Sequence, residues 1–334
     1  MDRPVAVVTG GSAGVGRATA AEFARRGFDV AVLARGEAGL DAAVREIEAA
    51  GGRGLALRAD VADYEAVLSA AKHAEDTLGP ISVWVNDAMT TVFGFVEEVS
   101  PSEFKRATEV TYLGQVHGTM VALKMMEPRD TGTIVNVGSA LAFVGIPLQS
   151  AYCGAKFACR GFFESVRAEL LHRHSGIRIT MVHLPAVNTP QFGWCENKLP
   201  KFPQPVPPIY QPEVPARRIV TSALKGRSNI VGSWNRLLIA VDAIAPTVVA
   251  HYAARTGVQS QQTDRPAATG PSDLDAPQDD KRDVGAHGDF DKLAKGVLAP
   301  SFLKSLPGTT RDFVLAIGDA LADRARSHFS RRSA

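Results

Sequence analysis

Short, largely apolar runs alternate with longer stretches of helical periodicity over the first two-thirds of the chain. The apolar runs are residues 5–8, 30–33, 54–59, 81–85, 132–137 and 177–182, and residues 229–232 read as a further edge strand. Runs without polar alternation suit strands covered on both faces, as in parallel sheets. Between them, residues 17–26, 37–50, 64–78, 102–126, 151–172 and 212–224 carry the i, i+3, i+4 apolar spacing of amphipathic helices. Gly27, Gly51-Gly52 and Gly79-Pro80 stop the first three. Strands alternating with long helices predict an α/β fold with an open, doubly wound sheet. Ligands of such sheets sit beyond the carboxyl ends of the strands.

The pattern changes at Pro185. Nine prolines fall between Pro185 and Pro215, with Phe192, Trp194, Phe202 and Tyr210 among them. That stretch is too apolar for a plain linker, so residues 189–215 are expected to fold over a ligand. Residues 234–255 are apolar and helical in pattern, interrupted by Pro246. Residues 259–289 are rich in Asp, Pro, Gln and Gly and are expected to be disordered. A last helix is expected at 311–326.

Composition narrows the function classes. The chain has 334 residues, 45% of them hydrophobic, enough for one large domain with an appendage. A net charge of +2 gives no reason to expect nucleic acid or an anionic membrane as partner. Cys153, Cys159 and Cys195 have neither metal-ligand spacing nor disulfide density, so no metal is expected and a reducing compartment fits. No stretch has the length of a membrane span, and strand-like residues 5–8 come too soon for a signal peptide. A cytoplasmic protein is expected.

The segment after the first strand is Thr9-Gly-Gly-Ser-Ala-Gly-Val-Gly16. Glycines at Gly10, Gly14 and Gly16 permit a tight turn and let backbone approach a pyrophosphate. The helix that follows offers free N–H groups, near Gly14 and Val15, and the positive end of its dipole. The spacing differs from G-x-G-x-x-G and lacks the Gly-Lys-Ser/Thr ending of a triphosphate loop. An acidic residue ending the second strand would bind a ribose 2′-hydroxyl. This chain has Ala34-Arg35 instead; alanine leaves room and a guanidinium suits a phosphate, with Ser12 able to add a hydroxyl. NADP(H) is therefore favoured, with NAD(H) possible. Asp60-Val61 after the third strand can meet an adenine. Asn86 and Ala88 after the fourth either hold the cofactor or tie strand ends together.

Tyr152 and Lys156, four apart, share one helix face, and Ser139 ends the strand before them. An ammonium beside a phenol is expected to lower its pKa from about 10 toward useful acid–base range. Ser139 can hold a carbonyl or alcohol oxygen while Tyr152 passes the proton and a nicotinamide carries the hydride.

On these motifs, with Asn86-Asp-Ala-Met89 and Pro185-Ala-Val-Asn-Thr189, residues 5–232 closely resemble the short-chain dehydrogenase/reductases. The resemblance implies a Rossmann-like doubly wound parallel sheet of about seven strands. It implies a bound NAD(P), a Ser139/Tyr152/Lys156 catalytic set, and cofactor contacts from Pro185, Val187 and Thr189, the last at the nicotinamide carboxamide. It also implies a homodimer or homotetramer built on helices 102–126 and 151–172. The organisation expected is a catalytic domain over 1–233 and a C-terminal extension over 234–334. Three positions depart from the family pattern. Met89 replaces a glycine and adds bulk beside the cofactor channel. Thr111 replaces an asparagine that, in the family, helps seat a water linking the catalytic lysine to solvent, so Thr111 joins the catalytic candidates. Pro185-Ala186 replaces Pro-Gly. Segments such as Glu109-Val-Thr-Tyr-Leu-Gly114 resemble a bacterial subgroup of reductases with a C-terminal extension.

The leading expectation is an NADP-dependent carbonyl reductase or alcohol dehydrogenase. Phe192, Trp194, Phe143 and Val144 suggest an apolar, medium-to-large substrate. The alternative is a weak or inactive dinucleotide-binding protein with a sensing or partner-binding role, which Thr111 and Met89 favour. A sugar-nucleotide epimerase shares Tyr-x-x-x-Lys, but its usual Thr-Gly-x-x-Gly-x-x-Gly does not fit Gly10, Gly14 and Gly16. Residues 234–255 could lie on a membrane interface; packing on the core or a neighbouring subunit is preferred, because charges are few.

Overall fold

The computed structural model describes residues 3–267, 270–298, 315–317 and 319. Its centre is one sheet of seven parallel strands: β1 (Val5–Thr9), β2 (Asp29–Ala34), β3 (Gly54–Arg58), β4 (Ile81–Asn86), β5 (Gly132–Ser139), β6 (Ile177–Leu184) and β7 (Asn229–Ile230). Their order is β3-β2-β1-β4-β5-β6-β7. The chain thus works outward from β1 to β3 and then crosses back to β4. That reversal beside β1 opens a crevice at the carboxyl ends of β1 and β4.

All five residues of β1 are buried, which accounts for its unbroken apolar run. Val5 and Val7 enter a core with Leu33, Trp84 and Val121 on one face. Ala6 and Val8 enter a second core with Phe23, Val30 and Ile219 on the other. Alternate residues of a strand face opposite sides, so one short run serves two helical layers. β5 and β6 pair in register from Gly132 with Ile177 to Ser139 with Leu184, which brings Ser139 beside Pro185.

The helices are α1 (Gly14–Arg25), α2 (Glu37–Ala49), α3 (Tyr64–Leu78), α4 (Pro101–Thr108), α5 (Gly114–Met126), α6 (Ser150–His172), α7 (Glu213–Lys225), α8 (Ser233–Ile244) and α9 (Pro246–Ser260). Caps explain several starts. The Asp63 carboxylate accepts from the N–H groups of Glu65 and Ala66. Ser100 and Glu103 exchange side-chain to backbone bonds ahead of α4. The periodicity at 102–126 predicts one helix, but a π-helical turn at Glu109–Leu113 divides it into α4 and α5. There the Thr111 hydroxyl donates to Thr90 O at 2.7 Å and accepts from Thr90 N–H at 3.0 Å, tying the turn to the loop after β4. Pro246 separates α8 from α9, as the interrupted pattern predicts.

The extension does not stand apart. Gly257 of α9 packs on Pro147, and the buried Gln261 amide donates to Pro147 O at 2.9 Å. Gln262–Pro266 then pairs antiparallel with Lys201–Pro203 of the proline-rich loop. Within residues 259–289, expected to be disordered on composition, Asp273, Asp279, Asp280 and Asp283 also bond to the sheet-bearing part of the chain. Backbone and carboxylate groups make these bonds, an interaction that composition does not register. The helix expected at 311–326 lies outside the described residues except at 315–317 and 319, which are helical. Among the described residues, no helix is long and apolar enough to cross a membrane.

Candidate active site

The crevice holds a cavity of about 350 Å³. One end is the glycine turn. Gly10 and Gly14 both take left-handed backbone angles, φ 69° and 57°. A side chain on Gly10 would strike the backbone of Ala88, and one on Gly14 would press on Thr189. The turn lets α1 begin against the cavity, where a helix N-terminus suits a pyrophosphate; its Gly14 N–H is taken up by Gly285 O of the extension at 3.3 Å. Gly10, Ser12, Gly14 and Val15 line this end, as do Arg35, Asp60, Val61 and Ala88. Pro185, Val187 and Thr189 line the far wall beyond β6. The residues present fit a nicotinamide dinucleotide along this course.

Two of the expected cofactor residues work from behind the cavity. Gly16 sits over Gly10 O, where a side chain would not fit, so it lets α1 close onto β1. Asn86 is buried in a polar knot: its amide donates to Asn136 at 2.9 Å and Thr119 at 3.0 Å and accepts from Trp84 at 2.8 Å. These bonds tie the end of β4 to β5 and α5. Met89 lines the cavity, so the bulk expected there is real.

At the chemical end, β5 delivers Ser139 and α6 delivers Tyr152 and Lys156. Ser139 is fixed from two sides. Its hydroxyl oxygen accepts from Leu141 N–H at 3.1 Å, and its carbonyl accepts from His183 Nδ1 at 3.1 Å. Burial, first, drives the His183 pKa down to about 4, so the ring is neutral and its Nδ1 carries the donated hydrogen. Ser139 lies near enough to Tyr152 to pull its pKa down. The Lys156 ammonium is 3% exposed, donates to Val137 O at 2.8 Å and lies 5.6 Å from the Tyr152 ring centre. All three line the cavity together.

The electrostatics correct one expectation. Lys156 and Ser139 do pull the Tyr152 pKa down, but burial is the larger effect and leaves it above the ordinary value. Burial likewise pushes Asp87 up to about 7, against the pull of Lys156 and of the Gly16 N–H. Burial would also raise Asp60, but the Ala62 N–H and Arg106 outweigh it and hold that carboxyl low. The Thr111 hydroxyl is used in both directions by Thr90, and its carbonyl accepts from Cys159 Sγ at 3.3 Å.

The remaining wall is apolar. Leu141, Ile146, Trp194, Val206, Trp234 and Leu238 line it, with Gln149, Gln191, Gln204 and Asn235 among its polar members. Phe143 instead packs on His183 and on Arg160, the latter 4.1 Å from its ring centre. Phe192 lines the cavity but also joins Phe93, Phe202 and Phe290 in a small separate core. The loop aromatics thus serve packing as much as ligand contact. Sequence reasoning missed Trp234, Leu238, Asp273, Gln278 and Asp279, which reach the cavity from the extension. Their positions follow no motif; only the apolar face of α8 hinted at Trp234 and Leu238. Among the described residues no group of acidic, histidine or cysteine side chains has metal-site geometry.

Residues 4–197 match the model of the short chain dehydrogenase family. The chain is 32% identical over 266 residues to the uncharacterized oxidoreductase YxnA of Bacillus subtilis, covering 79% of this chain and 75% of that one. It is 35% identical over 228 residues to 3-dehydrosphinganine reductase of Danio rerio, covering 66% and 68%. A solved structure described as a putative short-chain alcohol dehydrogenase from Sinorhizobium meliloti 1021 superposes with a TM-score of 0.52 at 30% identity, covering 55% of this chain and 72% of that one. With its sheet order, glycine turn and Ser139/Tyr152/Lys156 cluster, the chain belongs to the short-chain dehydrogenase family of nicotinamide-dinucleotide oxidoreductases.

Proposed function

We propose that the protein interconverts a carbonyl compound and its secondary alcohol with NADP(H), and that its substrate is apolar and of medium-to-large size. The observation that carries this reading is the placement of Ser139, Tyr152 and Lys156 on one cavity whose other end is the glycine turn. Ala34 and Arg35 at the end of β2, with Ser12 nearby, support NADP(H) over NAD(H). Leu141, Ile146, Trp194, Trp234 and Leu238 support the apolar substrate. The likeness to a protein named as a reductase favours the reductive sense.

The nicotinamide, when bound, supplies the hydride that adds to the carbonyl carbon. Ser139 and Tyr152 hydrogen-bond the carbonyl oxygen and orient it. As charge develops on that oxygen, the Tyr152 phenol gives it a proton, and Lys156 stabilises the phenolate left behind. Val137 O and the His183–Ser139 contact hold the lysine and serine in place. Thr189 and Val187 would pack on the nicotinamide end, Gly14 and Val15 on the pyrophosphate, and Asp60 and Val61 on the adenine. The assembled Ser139/Tyr152/Lys156 set weighs against a purely sensing role.

Exposed apolar residues on the long helices support a homodimer or homotetramer. Met120 on α5 is 49% exposed, and Phe157 on α6 is 44% exposed.

The test is dinucleotide oxidation by the full-length protein with ketones of graded size, using NADPH and NADH in parallel. Ketone-dependent consumption that favours NADPH and larger apolar ketones is expected. Dinucleotide binding with no turnover of any ketone or alcohol would overturn the catalytic reading.

A further inference from the structure

We propose that Asp279, carried by the C-terminal extension, is a cofactor-specificity residue that faces the ribose 2′ position and opposes the 2′-phosphate that Arg35 attracts. The inference rests on the dinucleotide reading of the cavity given above.

Asp273, Pro277, Gln278 and Asp279 of the extension line the cavity. Arg35 donates to the backbone carbonyls of Asp273 and Leu274. The segment then caps the start of α2: Gly39 N–H donates to Asp279 O at 3.0 Å, and Ala38 N–H to Asp280 O at 3.2 Å. The extension therefore occupies both features that would draw a 2′-phosphate to the end of β2, the guanidinium and the amides of a helix N-terminus.

Asp279 adds a charge of the opposite preference. Its carboxylate lies against Gly36 and Gly39, where any side chain would collide with it, and close to the Ser12 side chain. Asp279 is 5% exposed, and its Oδ2 is buried with no hydrogen-bond partner among the described residues. The residue lines the cavity. A buried carboxylate oxygen without a donor is costly, and a donor from within the cavity relieves it. A ribose 2′-hydroxyl is such a donor. A 2′-phosphate offers negative charge and acceptor oxygens instead, and the two anions repel. An acidic side chain at the end of β2 would make the same selection. Here Ala34-Arg35 occupies that place, and the carboxylate arrives from the far end of the chain.

The experiment is titration of full-length wild type, Asp279→Asn, Asp279→Ser and Arg35→Ala with NADP⁺ and NAD⁺ separately. Both Asp279 variants should tighten NADP⁺ by about tenfold while NAD⁺ binding stays level or weakens. Arg35→Ala should move the preference the other way. An unchanged preference overturns the role of Asp279. Equal tightening of both dinucleotides also overturns it, because the segment would then obstruct the cleft without reading the 2′ position. Failure of every variant to bind either dinucleotide overturns the cofactor reading itself.

Discussion

The Lys156 ammonium lies 5.6 Å from the centre of the Tyr152 ring and is anchored to Val137 O at 2.8 Å. This distance lets the lysine act on the phenol electrostatically while its own position is set by β5. Burial holds the Tyr152 pKa above its ordinary value, so the phenol is protonated throughout the neutral range. Reduction needs that proton, so its rate should stay level through neutral pH and fall as pH rises through the Tyr152 pKa. Oxidation needs the phenolate and should rise over the same range. Lys156→Gln removes the pull that lowers the pKa. PH–rate profiles should then show both limbs displaced to higher pH, with kcat reduced on the order of a hundredfold. Limbs that stay in place would mean that the lysine does not act on Tyr152.

Asp87 gives a stability prediction with a definite sign. Its folded pKa is about 7 against an ordinary 3.8, so folding favours the protonated form. The associated stability is fully present below the unfolded value and is lost as pH rises through about 7. Asp87→Asn keeps an acceptor for the Gly16 N–H and removes the titration. The variant should match wild type near pH 4 and exceed it by about 1–3 kcal/mol at pH 8 in chemical unfolding. A stability gain that does not vary with pH would contradict this assignment.

His183 has the opposite sign. Its folded pKa is about 4 against 6.5, so its contribution is present above the unfolded value and lost as pH falls through the folded one. Replacing it with Gln retains a donor toward Ser139 O. Thermal melts of His183→Gln should show a shallower loss of stability between pH 6.5 and 4 than wild type.

Leu238 tests the substrate wall. It reaches the cavity from α8, and a polar replacement should penalise large apolar ketones more than small ones. Leu238→Asn is expected to lower kcat/KM for the larger ketones by roughly tenfold, about 1.4 kcal/mol, and for small ones by much less. A uniform loss across the series would place Leu238 outside the substrate's reach.

The sheet was legible because its central strands are largely buried and read as short, mostly apolar runs, unbroken at β1. The Ser139, Tyr152 and Lys156 cluster on one cavity was legible because Tyr152 and Lys156 share a helix face and Ser139 ends a strand. What could not be read were relationships between distant segments. Asp279 meets Gly36 and Gly39 through a fold-back that no periodicity encodes. The break between α4 and α5, where Thr111 bonds to Thr90, is not revealed by the apolar spacing of 102–126. The direction of the Tyr152 shift depended on weighing burial against the lysine's charge, and burial is a property of the folded chain.

The most direct test of the account is the ketone-dependent rate of NADPH oxidation by Tyr152→Phe, measured beside wild type at saturating cofactor, with dinucleotide binding checked on the same samples. Loss of the phenolic proton should cut kcat by about 10²–10⁴-fold while the dinucleotide still binds. Equal reductive rates in the two proteins would contradict proton transfer by Tyr152 and, with it, the proposed chemistry of the site.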